Sequence, residues 1–189
     1  MDLESNNYSY EITSETEGLQ FWKQNQELSE ELRQDLANAN VIFVPAKRYL
    51  NTTEKFFEPN AEDLFEYLNK KADGEIKVDI CVDEGKYSKL AYFSEPGTLI
   101  SIGTIIVSSF VLPLVKDLLI GYLREKPKDS ETRLNLVVDN NKGFIRKLNY
   151  SGPPDKLQEI LPSICQNLLD KEKQEENQDK EKSNSSSQE

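Results

Sequence analysis

The first part of the chain alternates apolar and polar positions with periods that predict short strands and one helix. Side chains alternate between apolar and polar over residues 8–12, which indicates a strand. Leucines recur every four positions between residues 28 and 36, and this spacing predicts an amphipathic helix. The continuous apolar run at residues 41–44, closed by Pro45, is typical of a buried strand.

The next stretch predicts a second helix followed by the clearest strand of the chain. Asn60 and Asp63 have the spacing of a helix cap, and apolar side chains follow at residues 64–68. Over residues 76–82 apolar side chains occupy every second position, so they share one face of a strand. Residues 90–93 predict a further short strand.

Residues 96–115 contain no charged side chain, and their interpretation decides the class of the protein. The run meets the length of about 20 residues that a bilayer-spanning helix needs. If it spanned a membrane, however, the strands before and after it would lie on opposite sides and leave two incomplete sheets. We therefore predict a helix buried against one sheet, which lets all the fragments share a core. The alternative is a single-pass membrane protein with residues 96–120 as its transmembrane helix.

The last third predicts a hairpin and a closing helix. Residues 134–138 and 144–150 have strand patterns, and the turn at residues 139–143 is rich in Asp, Asn and Gly. Apolar positions in residues 157–168 follow helical spacing, whereas residues 170–189 have no apolar side chain. We predict one α+β domain over residues 1–169, with a mixed sheet of about four to five strands on the central apolar helix. Residues 170–189 are expected to form a charged, disordered tail.

The amino-acid composition argues against several classes of function. The chain has 23 Lys and Arg against 34 Asp and Glu, a net charge of −11 without a concentrated basic run, so we expect no nucleic-acid partner. It contains no histidine, which excludes any mechanism that uses imidazole. Cys81 and Cys165 form no CxxC pair, which argues against zinc and thioredoxin-type sites. The two cysteines leave room for one disulfide, but we expect two unpaired thiols in a reducing cytosol. A polar, acidic N-terminus without signal-peptide features likewise predicts a cytoplasmic protein.

Two groups of residues are candidates for chemical sites. Asp79, Cys81 and Asp83 share the polar face of the strand predicted at residues 76–82, but two carboxylates are too few for a metal ion and the thiol has no activating base. Residues 97–104 precede the predicted helix as a phosphate loop would, yet no lysine follows with the required spacing. We predict no catalytic, cofactor-binding or metal-binding residue and no cofactor.

The second half of the chain resembles the effector-associated constant component domains of bacterial conflict and signalling systems. Four features carry the resemblance: the uncharged, Gly/Ser/Thr-rich helix predicted at 97–110, the corner Tyr122-Leu123-Arg124, the two strands and polar turn within 134–150, and the short helix at 157–161. Tyr122 departs from the family pattern, in which this aromatic residue is commonly Trp. The resemblance implies a coupling module without catalytic residues, which links a sensor or protease-like effector to its partner.

These observations lead to one expectation and two alternatives. The expected function is that of a non-catalytic protein-interaction module with an unidentified protein partner. The first alternative is the membrane accessory protein described above, and the second is an enzyme of unknown type.

Overall fold

The computed structural model describes residues 8–46, 55–82, 87–89 and 98–185. In these ranges a six-stranded mixed sheet has helices on both faces, which confirms the α+β class with one more strand than the upper predicted number. The strands are β1 (Ser9–Ser14), β2 (Val41–Val44), β3 (Lys55–Phe57), β4 (Val78–Ile80), β5 (Tyr87–Lys89), β6 (Leu99–Ser108), β7 (Glu131–Asp139) and β8 (Ile145–Gly152). The helices are α1 (Leu19–Lys23), α2 (Glu30–Ala37), α3 (Ala61–Lys71), α4 (Leu112–Arg124) and α5 (Pro154–Ser185).

The main sheet has the strand order β1-β8-β7-β6-β2-β4. The hairpin of β7 and β8 is antiparallel, as its turn chemistry predicts, and β1 adds to it antiparallel to β8. Parallel pairing joins β6 to β7, with α4 as the crossover, and β2 to β4, with α3 in the connection. An antiparallel β2–β6 pair links the two halves, so strands from both ends of the chain share one sheet.

The prediction of a helix over residues 96–115 is wrong for most of that run. Leu99–Ser108 is the strand β6, and the helix α4 begins only at Leu112. Pairing with β2 and β7 places β6 inside the sheet, where helices cover both of its faces, so its apolar residues are continuous rather than alternating. None of the helices in the described ranges combines the length and apolarity needed to cross a bilayer.

Helices cover the two faces of the sheet unequally. On one face, here called the α3–α5 face, apolar residues of α3, α4 and α5 pack on alternate residues of β2, β6, β7 and β8. On the opposite α1–α2 face, a smaller cluster surrounds Ile42, Ile106 and Val137, with Leu19 and Leu36 packed on it from the helices. The larger core therefore forms on the α3–α5 face, where α4 takes the place of the predicted central helix.

Three further predictions change in detail. The strand predicted at residues 76–82 shortens to β4, and residues 90–93 lie outside the described residues. Asn60 does precede α3, but its side chain makes no capping bond, because its Oδ1 accepts the Ser101 backbone N–H at 3.0 Å. Helix α5 continues through residues 170–185, the range predicted to be disordered, and contacts from Glu172 and Glu175 hold its continuation to the domain.

Candidate interaction sites

The predicted polar strand face does not assemble into a site. Asp79 is half-buried beside Asp35, and its Oδ1 accepts the Ile80 backbone N–H at 2.7 Å. Burial raises the pKa of the Asp79 carboxyl, the Ile80 hydrogen bond opposes this shift, and the negative charge of Asp35 adds to it. Cys81 is buried in the core of the α1–α2 face, and Asp83 lies outside the described residues. Cys81 is therefore a core residue, whereas the Asp79 carboxyl is only half-buried.

Both cysteines are buried, one in the core of each face of the sheet. Cys165 lies in the core of the α3–α5 face, where burial raises the pKa of its thiol to about 12. Its sulfur is thus a protonated thiol at neutral pH, with the smaller effect of Lys116 opposing the shift. Cys81 lies on the opposite face of the sheet, with Sγ 3.9 Å from the Trp22 carbonyl oxygen. Both cysteines act as small core residues.

The phosphate-loop geometry considered for residues 97–104 is absent from the described part of that segment. Residues 99–104 belong to the strand β6, and no helix begins there, so no helix N-terminus is available to hold an anion. Among the described residues, no group of three Asp, Glu or Cys side chains is close enough together to hold a metal ion.

A cavity of about 200 Å³ opens on the α1–α2 face beside β6. Its floor consists of outward-facing residues of three strands, and its walls come from the β1–α1 connection, α1, the end of β2 and Glu58. Trp22 and Val137 supply apolar surface, while Glu15, Glu17 and Lys147 supply charge. The volume is below the roughly 300–1,000 Å³ that is typical of small-molecule and cofactor sites.

An irregularity in β6 shapes this cavity. The pairing of β6 with β7 shifts register between Ser101 and Gly103, and Gly103 has φ +80°. A Cβ at Gly103 would lie 2.7 Å from Cγ of Glu58, and the positive φ is one that other residues rarely adopt, so glycine is favoured at this position. The Glu58 carboxylate then accepts the Ser101 hydroxyl at 2.8 Å.

An apolar patch lies at the opposite end of β6, where the strand turns into α4. We call Phe110, Pro113 and Leu114 the Phe110 patch. Phe110 lies in the turn before α4, and Pro113 and Leu114 are exposed in the first turn of that helix. Phe110 is 82% exposed and Leu114 37% exposed. The only other exposed large apolar side chains in the described ranges are Tyr10 and Phe21. The patch therefore places an aromatic side chain in water at a fixed corner of the fold.

The β1 edge of the sheet is a second accessible surface. β1 pairs with β8 on one side, and no strand of the described ranges pairs with its other side. Its residues are mostly exposed, and Tyr10 is 50% exposed. The opposite edge strand, β4, has only three residues.

Sequence reasoning predicted neither surface. Phe110 lies in the run interpreted as a buried helix, and the pair Ser108-Ser109 before it was the available sign that the strand ends there. The strand character of β1 was predicted, but its edge position depends on pairing with β8 more than 130 residues later. Comparison of the chain with family models, curated proteins and solved structures gives no significant match.

Proposed function

We propose that this chain is a non-catalytic protein-interaction module that binds a protein partner through the Phe110 patch. The exposure of Phe110 carries the proposal, because a folded domain gains nothing from an aromatic ring left 82% in water. Covering such a side chain stabilises a complex by roughly 1.5–3 kcal/mol. Aromatic residues are enriched at the centres of protein interfaces for this reason.

The backbone beneath the patch is held rigidly, which lowers the entropic cost of binding. The Ser109 N–H donates to the Asp139 carbonyl at 2.9 Å, and the Val111 N–H donates to the Ser108 carbonyl at 3.1 Å. The Ser109 hydroxyl also donates to Glu172 of α5 at 3.0 Å. The turn is thus tied to β6, β7 and α5, and a partner meets Phe110 in a preset position.

Charged groups lie next to the apolar centre, on α4 and on α5. Lys116 and Asp117 form an ion pair at 2.9 Å in the second turn of α4, and Glu172 lies beside Ser109. An apolar centre with a charged rim is the usual arrangement of a non-obligate interface. A protein partner with an apolar pocket fits this surface better than a nucleic acid does, given the net charge of −11.

The resemblance to effector-associated constant component domains supports a coupling role in a bacterial conflict or signalling system. The stretch 97–110 of that pattern is largely the strand β6 rather than a helix, whereas Tyr122-Leu123-Arg124 forms the last turn of α4. The hairpin and the following helix have the order that the resemblance implies. We further propose that such a module works in the cytoplasm.

Phe110→Ser tests the proposal against Phe21→Ser, which removes another exposed phenylalanine, 52% exposed, from α1. The tagged chain is purified from its native cells at native expression, and co-purifying proteins are quantified by mass spectrometry. We expect Phe110→Ser to lose a specific partner at least about tenfold, and Phe21→Ser to retain it. Thermal melting checks that each variant is folded. Retention of every wild-type partner by folded Phe110→Ser would overturn the proposal.

A further inference from the structure

The outer edge of β1 presents a regular row of backbone hydrogen-bonding groups. The Glu15 N–H donates to the Ile145 carbonyl at 3.1 Å, which continues the β1–β8 pairing beyond the strand. Alternate residues of an antiparallel strand point their backbone groups to opposite sides. The odd-numbered residues of β1 therefore face β8, and Tyr10, Ile12 and Ser14 direct their N–H and C=O groups outward.

β1 has few of the features that protect edge strands from pairing. Its register with β8 runs through six consecutive pairs without a bulge, and the strand contains neither proline nor lysine. Natural sheets usually shield an edge with one of these devices or by keeping the strand very short. The other edge strand, β4, is protected by its shortness, since it has only three residues.

The two faces of β1 differ in chemistry. Ile12 packs against the core of the α3–α5 face, and Tyr10 is two residues before it on the same side. Glu11 points to the α1–α2 face and is exposed. In a strand added to this edge, every second side chain would lie beside Ile12, and the side chains between them would lie beside Glu11.

The negative charge of this region favours a positively charged segment at the β1 edge. Five acidic residues and no basic residue precede Gly18 in the sequence: Asp2, Glu4, Glu11, Glu15 and Glu17. An added strand would lie about 4.8 Å from β1 and about twice that distance from Lys147 on β8. The Glu11 carboxylate is therefore closer to the added strand than the Lys147 ammonium group is. A second copy of the chain would bring equal negative charge, which disfavours self-pairing.

We propose that the outer edge of β1 binds an extended segment of a protein partner in which basic and apolar residues alternate. Main-chain bonds to Tyr10, Ile12 and Ser14 hold the segment, its apolar side chains lie beside Ile12, and its basic side chains lie beside Glu11. The inference extends the proposed interaction role, but it uses a surface distinct from the Phe110 patch.

The probe is an end-capped nonapeptide of alternating lysine and valine, titrated against the full chain by fluorescence anisotropy. We expect binding with NMR amide shifts centred on residues 10–14, and at least about tenfold weaker binding to Ser14→Pro, which loses an outward N–H. Ser14→Ala keeps that N–H and should bind normally. Glu11→Lys should weaken binding about two- to fivefold, whereas Glu66→Lys makes the same charge change on α3 and should have little effect.

Peptide chemistry gives a test that needs no protein variant. N-methylation of the alternate residues that face β1 should abolish binding, and N-methylation of the intervening residues should not. Equal effects of the two methylation patterns would overturn the proposal, as would equal binding of an alternating glutamate–valine peptide. Dimerisation of the free chain that Ser14→Pro abolishes would assign the edge to a second copy and overturn it too. Phe110→Ser should leave peptide binding unchanged, so the two proposals fail separately.

Discussion

Gly18 lets the β1–α1 connection pass directly over a buried carboxylate. Asp139 is 3% exposed, and its two oxygens accept the backbone N–H groups of Leu19 at 2.7 Å and of Asn141 at 2.6 Å. A Cβ on Gly18 would lie 2.1 Å from Oδ2 of Asp139. Because φ of Gly18 is −90°, the need for glycine is steric rather than conformational.

Gly18→Ala is therefore expected to destabilise the fold. The Asp139 carboxylate cannot move aside without giving up a hydrogen bond, so we expect a loss of about 1–3 kcal/mol in the free energy of unfolding. Urea denaturation measures it, with Gly74→Ala as control, since a Cβ at Gly74 meets nothing within 4 Å. Equal stability of the two variants would show that Asp139 does not hold this connection.

Asp79 is predicted to destabilise the native state at neutral pH. Burial raises the pKa of its carboxyl above the ordinary value of 3.8, so the native chain binds this proton more tightly than the unfolded chain does. The free energy of unfolding therefore falls as pH rises from about 3.8 through the native pKa. Asp79→Asn should be more stable than the wild type at pH 7 and should show no such gain at pH 3.

The measurement is a series of urea denaturations between pH 3 and pH 7. The amide oxygen that Asp79→Asn introduces can still accept the Ile80 N–H, so the variant removes charge while keeping that bond. Asp73→Asn removes the same charge from an exposed position after α3 and reports the effect of net charge alone. An identical pH dependence of the two variants would contradict the burial effect.

At the level of elements, β6 shows where the sequence pattern misleads. A strand buried on both faces has a continuous apolar run, and periodicity cannot distinguish it from a buried helix. Leu99–Ser108 is rich in the β-branched residues Ile, Val and Thr, which favour a strand. These residue types predict β6 better than the continuous apolar run does. The preference for a buried segment over a membrane span depended on shared packing, and β6 pairs with strands from both halves of the chain.

Elements defined by local chemistry were predicted well. The turn at residues 140–143 needs backbone conformations with positive φ, which Asn141 and Gly143 adopt, so the β7–β8 hairpin follows from nearby residues. Asn60 marks the start of α3 correctly, but its side chain bonds Ser101 from another element, which no local pattern contains. The Phe110 patch and the β1 edge likewise depend on how distant segments pack.

In the whole molecule, α5 joins the domain core to a charged helical extension. Its apolar residues up to Leu168 lie in the core of the α3–α5 face. Beyond them, Glu172 accepts the Ser109 hydroxyl at 3.0 Å, and Glu175 pairs with Arg146 at 2.6 Å. The domain therefore makes contacts past residue 169, the boundary that hydrophobicity alone predicts, because polar side chains continue the packing of the helix.

Three truncations of α5 separate these contributions. A chain ending at residue 178 keeps both polar contacts and should melt like the full chain. A chain ending at residue 169 lacks both contacts. Its free energy of unfolding should fall by about 1 kcal/mol, because the Arg146–Glu175 pair is partly exposed. A chain ending at residue 163 also loses Ile164, Cys165 and Leu168, all at most 4% exposed. Each buried side chain contributes about 1.5–3 kcal/mol, and the sum approaches the whole stability of a small domain.

We therefore expect the shortest chain to be unfolded, with circular dichroism and thermal melting as the measurements. Glu175→Ala in the chain ending at residue 178 removes the ion pair with Arg146 without shortening the helix, and it leaves the contacts of Arg146 with Phe144 and Ile145 in place. It should therefore reproduce part of the stability that the chain ending at residue 169 loses. If the chain ending at 169 melted with the full chain, the contacts of Glu172 and Glu175 would contribute nothing and the domain would end where its apolar residues end. If the chain ending at 163 stayed folded, the core of the α3–α5 face would be complete without the second half of α5.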